Sequence, residues 1–286
     1  MESFDLERYK SILKETFRYF IEVCEDNNLR YYCAGGTALG AVRHHDFIPW
    51  DDDIDVLMPR EDYNKFLSLN TMLEEKGYKT ISVSNCKTYA TFAKFYNKNT
   101  TLWELKEVPF VYGIFIDIFP LDESDDSLDL FLKKYMKLRN AQRFYQLSQM
   151  DVTLKDFILY FKTDRKLFYK CLMSFFVPGL LTAHFRRYII KCESAFFNKK
   201  GNFLVSPFGE YFEKEYFNKL WFDGYKEFPF GDLKVRLPKE YDSYLTYVFG
   251  DYMKLPPIEK QVSHHYHYFL DMDKGITIGE VRALMK

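Results

Sequence analysis

A cluster of aspartates is the first feature of the sequence that could support chemistry. Asp51, Asp52, Asp53 and Asp55 lie within five positions, and carboxylates this close repel one another unless a cation lies among them. On a strand that starts at Asp53, the side chains of Asp53 and Asp55 would project to the same face, about 7 Å apart. Such a pair can hold one or two Mg²⁺ ions, as enzymes of phosphoryl transfer require. The alternative for Asp51 and Asp52 is a solvated acidic loop.

A third ligand is expected from a neighbouring strand, and Asp117 is the candidate. It is the single charge in the apolar run GIFIDIF of residues 113–119, where an unpaired charge would be costly. The alternative is an aspartate that caps a strand end. An EF-hand calcium loop is excluded, because Val56 stands where that loop requires glycine and Pro59 follows. The expected cofactor is therefore Mg²⁺, with Mn²⁺ as the alternative ion.

A glycine pair precedes the aspartates. Gly35 and Gly36 lie between a predicted strand at 29–34 and a short predicted helix at 37–43, for which Thr37 is the expected N-cap. Backbone N–H groups at such a turn can approach a phosphate closely, and a helix N-terminus favours an anion. The pattern is neither G-x-G-x-x-G nor a Walker loop, which excludes the dinucleotide-binding and P-loop classes. A double glycine alone is more often only a turn, so its nearness to the aspartates is what favours phosphate binding.

Hydrophobic periodicity predicts the elements that must position these residues. Helices are predicted at 5–27, 60–76, 127–149, within 155–200 and from 238 to 256, and further strands at 54–58, 80–84, 91–96, 113–119 and 233–237. Strands and helices do not alternate strictly, which indicates the α+β class. We expect three segments: a catalytic core at 1–125, a helical, basic and aromatic insertion at 126–205, and a C-terminal segment at 206–286 that returns to the core.

The composition limits the partners and the compartment. The chain has 286 residues, of which 47% are hydrophobic and 28% charged, as is typical of globular proteins. Its net charge of −1 argues against binding of nucleic acid by the whole surface. The five cysteines are scattered and form no C-x-x-C pair, which indicates neither a disulfide framework nor a thiolate zinc site. The N-terminus lacks the apolar stretch of a secretory signal, so we expect a cytoplasmic protein.

Three blocks of sequence resemble one known family. The run GGTALGAVRHHDFIPWDDDIDVLMPREDY, the run GIFIDIFPLD and the run FGDYMKLPP near the C-terminus are similar to motifs of the LicD family of phosphotransferases. The resemblance implies a nucleotidyltransferase-like fold of the polymerase-β type, with a mixed sheet and flanking helices. It also implies transfer of phosphocholine from CDP-choline to sugars of cell-surface glycans, or of ribitol phosphate as in related animal proteins. No motif is evident between residues 126 and 202.

The resemblance also implies roles for individual residues. It assigns Asp53, Asp55 and Asp117 as the metal ligands. As a separate hypothesis, we expect Asp117 to act as the catalytic base. The resemblance places Gly35, Gly36 and Thr37 at the diphosphate of the donor. Two cations outside these sets are expected to contact phosphate, Arg43 on the short helix and Lys94 in an otherwise apolar strand. A surface charge is the alternative for Arg43.

Aromatic and histidine residues provide the candidates for the rest of the substrate site. Trp50 and Trp103 are the candidates to contact choline, because quaternary ammonium groups bind to the faces of aromatic rings. A core role is the alternative for both, and it is the expected role of Trp103. His264 or His265 is expected to reach the site from the C-terminal segment. A structural or substrate-facing role is favoured over zinc binding for these histidines and His267, since no pair has i, i+4 spacing and no cysteine lies near.

A basic and aromatic segment spans residues 155–200. It contains ten basic and three acidic residues, and fifteen uncharged residues run from Cys171 to Phe185, which is too short to span a bilayer. Peripheral contact with the inner leaflet of an anionic membrane is one interpretation, and a buried helical hairpin is the other. For the whole chain, the alternatives to a LicD-type phosphotransferase are an antibiotic-type nucleotidyltransferase and a non-enzymatic protein that binds glycan or membrane.

Overall fold

A computed structural model describes residues 5–85, 88–197, 199–262 and 267–285. The α-helices of these residues are α1 (Leu6–Asp26), α2 (Gly35–Arg43), α3 (Arg60–Ser68), α4 (Asn70–Glu75), α5 (Leu128–Leu147), α6 (Leu154–Thr163), α7 (Arg165–Ser174), α8 (Thr182–Glu193), α9 (Tyr241–Phe249) and α10 (Ile278–Leu284). The strands are β1 (Tyr32–Cys33), β2 (Asp55–Pro59), β3 (Tyr78–Ile81), β4 (Ala93–Asn97), β5 (Thr101–Trp103), β6 (Phe115–Ser124), β7 (Phe203–Val205), β8 (Tyr216–Asn218), β9 (Tyr225–Phe230), β10 (Leu233–Pro238) and β11 (Phe269–Asp271). Short 3-10 turns lie at Gly179–Leu181, Ser194–Phe196, Phe212–Glu215, Lys219–Phe222 and Ile258–Lys260. The predicted α+β class is confirmed.

A mixed sheet organises the fold. Its strands follow the order β1, β2, β6, β4, β3, and β7 and β8 extend it from the end of β6. The β2–β6 pair is parallel, and the other pairs of this sheet are antiparallel. Two small antiparallel pairs, β9 with β10 and β5 with β11, lie beside it. The strand order places β6 between β2 and β4, so the segments around Asp55, Lys94 and Asp117 are neighbours.

Helix α1 supplies much of the core beneath the sheet. Its apolar residues recur at three- and four-residue spacing, which gives one buried face. Phe17 and Phe20 are fully buried, and the Phe20 ring lies 5.0 Å from that of Phe66 on α3 and 6.2 Å from that of Phe95 on β4. Full burial of one such ring contributes about 1.5–3 kcal/mol. Part of the high aromatic content of the sequence therefore forms the core around α1.

Several predicted boundaries are wrong for local reasons. The helix expected over 60–76 is divided at Leu69, because the side chain of Asn70 accepts hydrogen bonds from the backbone N–H and hydroxyl of Thr80 and thereby ties α4 to β3. Strand β2 begins at Asp55, so Asp53 precedes the strand. Pro238 ends β10, where it pairs with Tyr225, and α9 begins three residues later.

The basic segment is helical, as its composition predicts, but it is not a buried hairpin. Helices α6 and α7 carry many exposed apolar side chains, including Phe161, Phe176 and Leu180 of the following turn. Among the described residues no single helix meets the length and hydropathy criteria for a membrane span; α7 taken together with the helical stretch 179–196 meets them, with a bend of 76°. The proposed division of the chain into three segments stays a prediction.

Candidate active site

Three neighbouring strands bring together Asp55, Lys94 and Asp117. In the parallel β2–β6 pair Asp55 lies opposite Asp117, and in the antiparallel β4–β6 pair Lys94 lies opposite the same Asp117. Residues directly opposite one another project to the same face of a sheet. The three side chains therefore form a row across β2, β6 and β4, and the Nζ of Lys94 donates a hydrogen bond of 2.9 Å to Oδ1 of Asp117.

The glycine pair lies against the aspartates. The backbone φ angle of Gly35 is +49°, and a Cβ atom at this position would lie 3.1 Å from Oδ2 of Asp55. A Cβ atom on Gly36 would lie 2.3 Å from Oδ2 of Asp51, closer than packed atoms approach. Position 35 therefore favours glycine through its positive φ angle, whereas a side chain at position 36 would have to displace the carboxylate of Asp51. The backbone can thus lie directly beside the carboxylates.

Thr37 has a different role from the predicted one. Helix α2 begins at Gly35, after Ala34, which provides no side-chain cap. The hydroxyl of Thr37 instead accepts a hydrogen bond of 2.8 Å from the backbone N–H of Asp55, and the N–H of Ala34 donates to the carbonyl of Asp55. Thr37 therefore fixes the first turn of α2 to the start of β2, where the site aspartates are.

Negative charge is concentrated at Asp55. Burial raises the pKa of its carboxyl well above the usual range, and Asp53, Asp117 and Asp51 raise it further, while Lys94 lowers it. Asp52 is also buried, with 3% of its surface exposed, so the solvated-loop interpretation is wrong for this residue. Carboxylates held together in this way are stabilised by a bound cation.

Lys94 is a buried cation beside Asp117. It lies on an interior strand rather than at the sheet edge, and its Nζ is 3.4 Å from the centre of the Phe115 ring, with Phe92 and Tyr112 on other sides. Burial lowers the pKa of Lys94, but Asp117 and other carboxylates raise it more, and the net direction is upward. The lysine therefore remains charged beside Asp117.

The donor set fits a hard cation. Carboxylate oxygens are the protein ligands that Mg²⁺ and Mn²⁺ prefer, and Asp53, Asp55 and Asp117 supply them at one end of the β2–β6 pair. Within the described ranges no three His, Cys, Asp or Glu side chains are already grouped as a metal site. Metal binding by these aspartates stays a prediction.

Two tyrosines from distant parts of the chain complete the surroundings of Gly35. The Gly35 N–H donates a hydrogen bond of 3.1 Å to the hydroxyl of Tyr244 on α9. The hydroxyl of Tyr211 lies 3.5 Å from where a Cβ of Gly35 would be, and burial, followed by Asp55, raises its pKa. Sequence reasoning missed both, because Tyr244 recurs at helical spacing like a core residue and Tyr211 lies outside the recognised motifs. Their separation from Gly35 leaves no local signal.

Replacement of Tyr244 by phenylalanine tests whether this hydrogen bond positions the glycine turn. Tyr244→Phe leaves the buried N–H of Gly35 without its acceptor, so we expect the free energy of unfolding to fall by about 1–3 kcal/mol. We also expect activity to fall by about tenfold, because the turn loses its fixed position. The matched control is Tyr247→Phe on the same helix, whose hydroxyl donates to the carbonyl of Glu213 in an exposed position. Equal effects of both variants would contradict the assignment.

A buried glutamate supports Tyr211. Glu215 accepts a hydrogen bond of 3.0 Å from the backbone N–H of Tyr211, and its carboxyl lies so close to Gly209 that a Cβ there would be 2.1 Å from the carboxyl carbon. Burial raises the pKa of Glu215 to about 7.

The pKa of Glu215 predicts a pH dependence of stability. An unfolded glutamate titrates near pH 4.3, so between about pH 4.5 and 7 the folded state holds a proton that the unfolded state has lost. The free energy of unfolding should therefore fall as pH rises through this range, by about 2–3 kcal/mol. Glu215→Gln should remove this loss and be more stable than wild type at pH 8 in urea denaturation, whereas the exposed Glu213→Gln should keep it. A wild-type curve without this decline would refute the prediction.

The remaining predicted residues lie as follows. Arg43 donates a hydrogen bond of 2.7 Å to the carbonyl of Tyr252, and burial lowers its pKa; its guanidinium thus joins α2 to the FGDYMKLPP segment. Trp50 packs against the core and lies edge-on to His44, with ring centres 6.3 Å apart. Trp103 is core, as expected, with 4% of its surface exposed. His264 and His265 lie outside the described residues.

Known proteins resemble the chain over the whole of this site. Residues 28–158 match the family described as LicD/FKTN/FKRP, nucleotidyltransferase domain, and this range includes the glycine pair and all the site aspartates. The resemblance seen in the motifs is confirmed: residues 28–158 are a LicD-family domain. The class of protein is therefore an enzyme, a transferase of phosphate-containing groups.

Individual relatives extend the similarity. The lipopolysaccharide cholinephosphotransferase LicD of Haemophilus influenzae is 29% identical over 274 residues, which is 93% of this chain and 97% of that protein. The ribitol 5-phosphate transferase FKRP of Homo sapiens is 39% identical, but only over 71 residues, which is 14% of its length. The uncharacterized protein RT0683 of Rickettsia typhi is 40% identical over 58 residues.

Proposed function

We propose that the protein transfers phosphocholine from CDP-choline to a hydroxyl of a cell-surface glycan or its lipid-linked precursor, in a Mg²⁺-dependent reaction in the cytoplasm. The observation that carries the proposal is the register that sets Asp55 beside Asp117 next to Gly35 and Gly36. The similarity to a cholinephosphotransferase over 97% of that protein supports phosphocholine as the transferred group. The strand order and the matched family favour a nucleotidyltransferase-like fold of the polymerase-β type.

The glycine turn is proposed to bind the donor diphosphate. The first N–H groups of a helix have no acceptor within the helix, and in α2 these belong to Gly35, Gly36 and Thr37. Since Gly35 already donates to Tyr244, Gly36 and Thr37 are the donors proposed for phosphate oxygens. Lys94 places a buried positive charge on the face of the sheet that carries Asp55 and Asp117.

The aspartates are proposed to handle the metal and the proton. Asp53, Asp55 and Asp117 would hold Mg²⁺, which when bound neutralises charge on the diphosphate and makes an acceptor hydroxyl easier to deprotonate. Asp117 accepts the proton of that hydroxyl as general base, and Lys94 holds its carboxylate in place through the 2.9 Å hydrogen bond. The acceptor oxygen bonds to the phosphorus that bears choline, the bond from that phosphorus to CMP breaks, and CMP leaves.

A polyol phosphate is the second candidate for the transferred group. The match to the ribitol 5-phosphate transferase covers 71 residues at 39% identity, a higher identity over a much shorter stretch than the match to the cholinephosphotransferase. A ribitol or glycerol phosphate donor would need hydrogen-bonding groups where choline needs aromatic faces.

The test is product analysis with a panel of donors. The protein is incubated with Mg²⁺, a glycan acceptor and in turn CDP-choline, CDP-ribitol, CDP-glycerol or a nucleoside triphosphate. We expect release of CMP with CDP-choline and labelled choline phosphate on the acceptor. Release of CMP only with a CDP-polyol would replace choline by that polyol, release of pyrophosphate would indicate nucleotidyl transfer, and no product with any donor would overturn the proposal.

A further inference from the structure

Helices α6 and α7 and the turn after them expose an unusual amount of apolar surface. Ten of the 26 exposed large apolar side chains of the described residues lie between positions 154 and 181, about a tenth of the chain. The most exposed include Leu154, Phe161, Tyr169, Phe175, Phe176 and Leu180, of which Leu180 is 95% exposed. We call these six residues the apolar ridge. Exposed apolar side chains concentrated in one segment in this way are typical of an interaction site.

The apolar ridge is ordered along the helices. In α6 the exposed residues Leu154, Ile158 and Phe161 follow i, i+4, i+7 spacing, and from α7 onwards Tyr169, Met173 and Phe176 do the same. This spacing places the first set on one face of α6, and Tyr169 and Met173 on one face of α7, with Phe176 in the turn that follows. The rings of Phe157 and Phe168 join the two helices, with centres 4.6 Å apart.

Polar contacts fix the opposite side of α6 to the protein. The buried Asp156 pairs with Lys106, and the hydroxyl of Tyr160 donates to Glu107. Both partners belong to the loop after β5 (Thr101–Trp103). Helix α6 is therefore held with its polar contacts inward, which leaves the apolar ridge outward.

Uncompensated positive charge surrounds the apolar ridge. Lys155, Lys162, Arg165, Lys166 and Lys170 are all exposed, and none of them forms an ion pair with another described residue. The two acidic residues of this stretch are engaged, Asp156 with Lys106 and Asp164 as the cap that accepts from the N–H of Leu167. The complementary surface is therefore apolar and anionic.

We infer that the apolar ridge and its five basic residues dock the protein on an anionic phospholipid membrane. Aromatic and aliphatic side chains flanked by Lys and Arg match the boundary between acyl chains and anionic headgroups. Helices α6 and α7 have ten residues each, about 15 Å, or half the thickness of the hydrocarbon core. They therefore lie in the interface and do not cross it.

The inference is tested by sedimentation of the purified full-length protein with phosphatidylcholine vesicles that contain or lack phosphatidylglycerol. We expect binding to the anionic vesicles that decreases as salt is added, and weaker binding to phosphatidylcholine alone. The variants Phe176→Ser with Leu180→Ser, and Lys162→Glu with Lys166→Glu, should each reduce binding to anionic vesicles by about tenfold or more. The measurement uses neither donor nor acceptor, so its result is independent of the proposed transfer reaction.

Matched control variants distinguish binding through the apolar ridge from non-specific binding to vesicles. Ile258 is 83% exposed and Lys234 is exposed, and both lie outside α6 and α7, so Ile258→Ser and Lys234→Glu should bind vesicles like wild type. Circular dichroism melting checks that every variant is folded. The inference would be overturned if the protein did not bind vesicles at low salt, or if ridge and control variants bound equally. It would also be overturned if the protein formed a dimer that Leu180→Ser dissociated while vesicle binding persisted.

Discussion

Asp117→Asn and Asp55→Asn should each reduce transfer of the phosphate-containing group by about a thousandfold. Removal of a general base typically slows a reaction by a factor of about 10²–10⁴. Each substitution also removes one carboxylate from the row that the strand register forms with Lys94. The measurement is the rate of CMP release at saturating Mg²⁺ and donor. Near wild-type rates in either variant would refute the metal-site proposal.

Stability measurements distinguish this loss from misfolding. Because burial and neighbouring carboxylates raise the pKa of Asp55, its ionised form is unfavourable in the folded protein, and Asp55→Asn should melt at the same temperature as wild type or higher at neutral pH. Wild type should gain thermal stability when Mg²⁺ is added, and Asp55→Asn should gain less. The exposed Asp129→Asn, on α5 and outside the three family-like motifs, is the control, for which we expect unchanged activity and an unchanged response to Mg²⁺.

Arg60→Met should lower the free energy of unfolding by about 3–5 kcal/mol. Arg60 follows β2 and makes hydrogen bonds of 2.6 and 2.8 Å to Asp122 at the end of β6 and of 2.8 Å to Glu193 of α8. Burial raises the pKa of both carboxyls against the lowering effect of Arg60. Removal of the guanidinium leaves two buried carboxyls without their counter-ion, and the loss should be read from urea denaturation.

Two further measurements sharpen the Arg60 prediction. The control is Arg30→Met, since Arg30 is 61% exposed in its pair with Asp62 and should cost at most about 1 kcal/mol. The defect of Arg60→Met should shrink at lower pH, because protonation removes the unpaired charges of Asp122 and Glu193. A loss below about 1 kcal/mol, or one that grows on acidification, would show that the network does not hold β2, β6 and α8 together.

Local sequence was sufficient for the elements that carry the site. The aspartates, the glycine pair and the strands around residues 55 and 117 were predictable because alternation, turn chemistry and charge density act over a few residues. Asp117 was expected on a neighbouring strand, but the parallel register that sets it opposite Asp55 could not be predicted, since periodicity does not specify which strands pair.

Contacts between distant segments explain what sequence reasoning missed. Tyr244 acts on Gly35 from 209 residues away, and Arg60 and Glu193 are 133 positions apart. Thr37 was expected to cap its own helix, but the N–H of Asp55 competes for its hydroxyl. In each case a tertiary partner decides what a polar side chain does, and local propensity carries no information about it.

The matched family domain begins at residue 28 and ends at 158, but residues outside these limits pack against it and form hydrogen bonds with it. A fragment cut at these limits would retain every site aspartate but lose Phe17 and Phe20 of α1, which are fully buried, and also Tyr244, the acceptor for Gly35. The catalytic residues of the matched domain therefore depend on core packing and a hydrogen-bond acceptor that segments outside its limits provide.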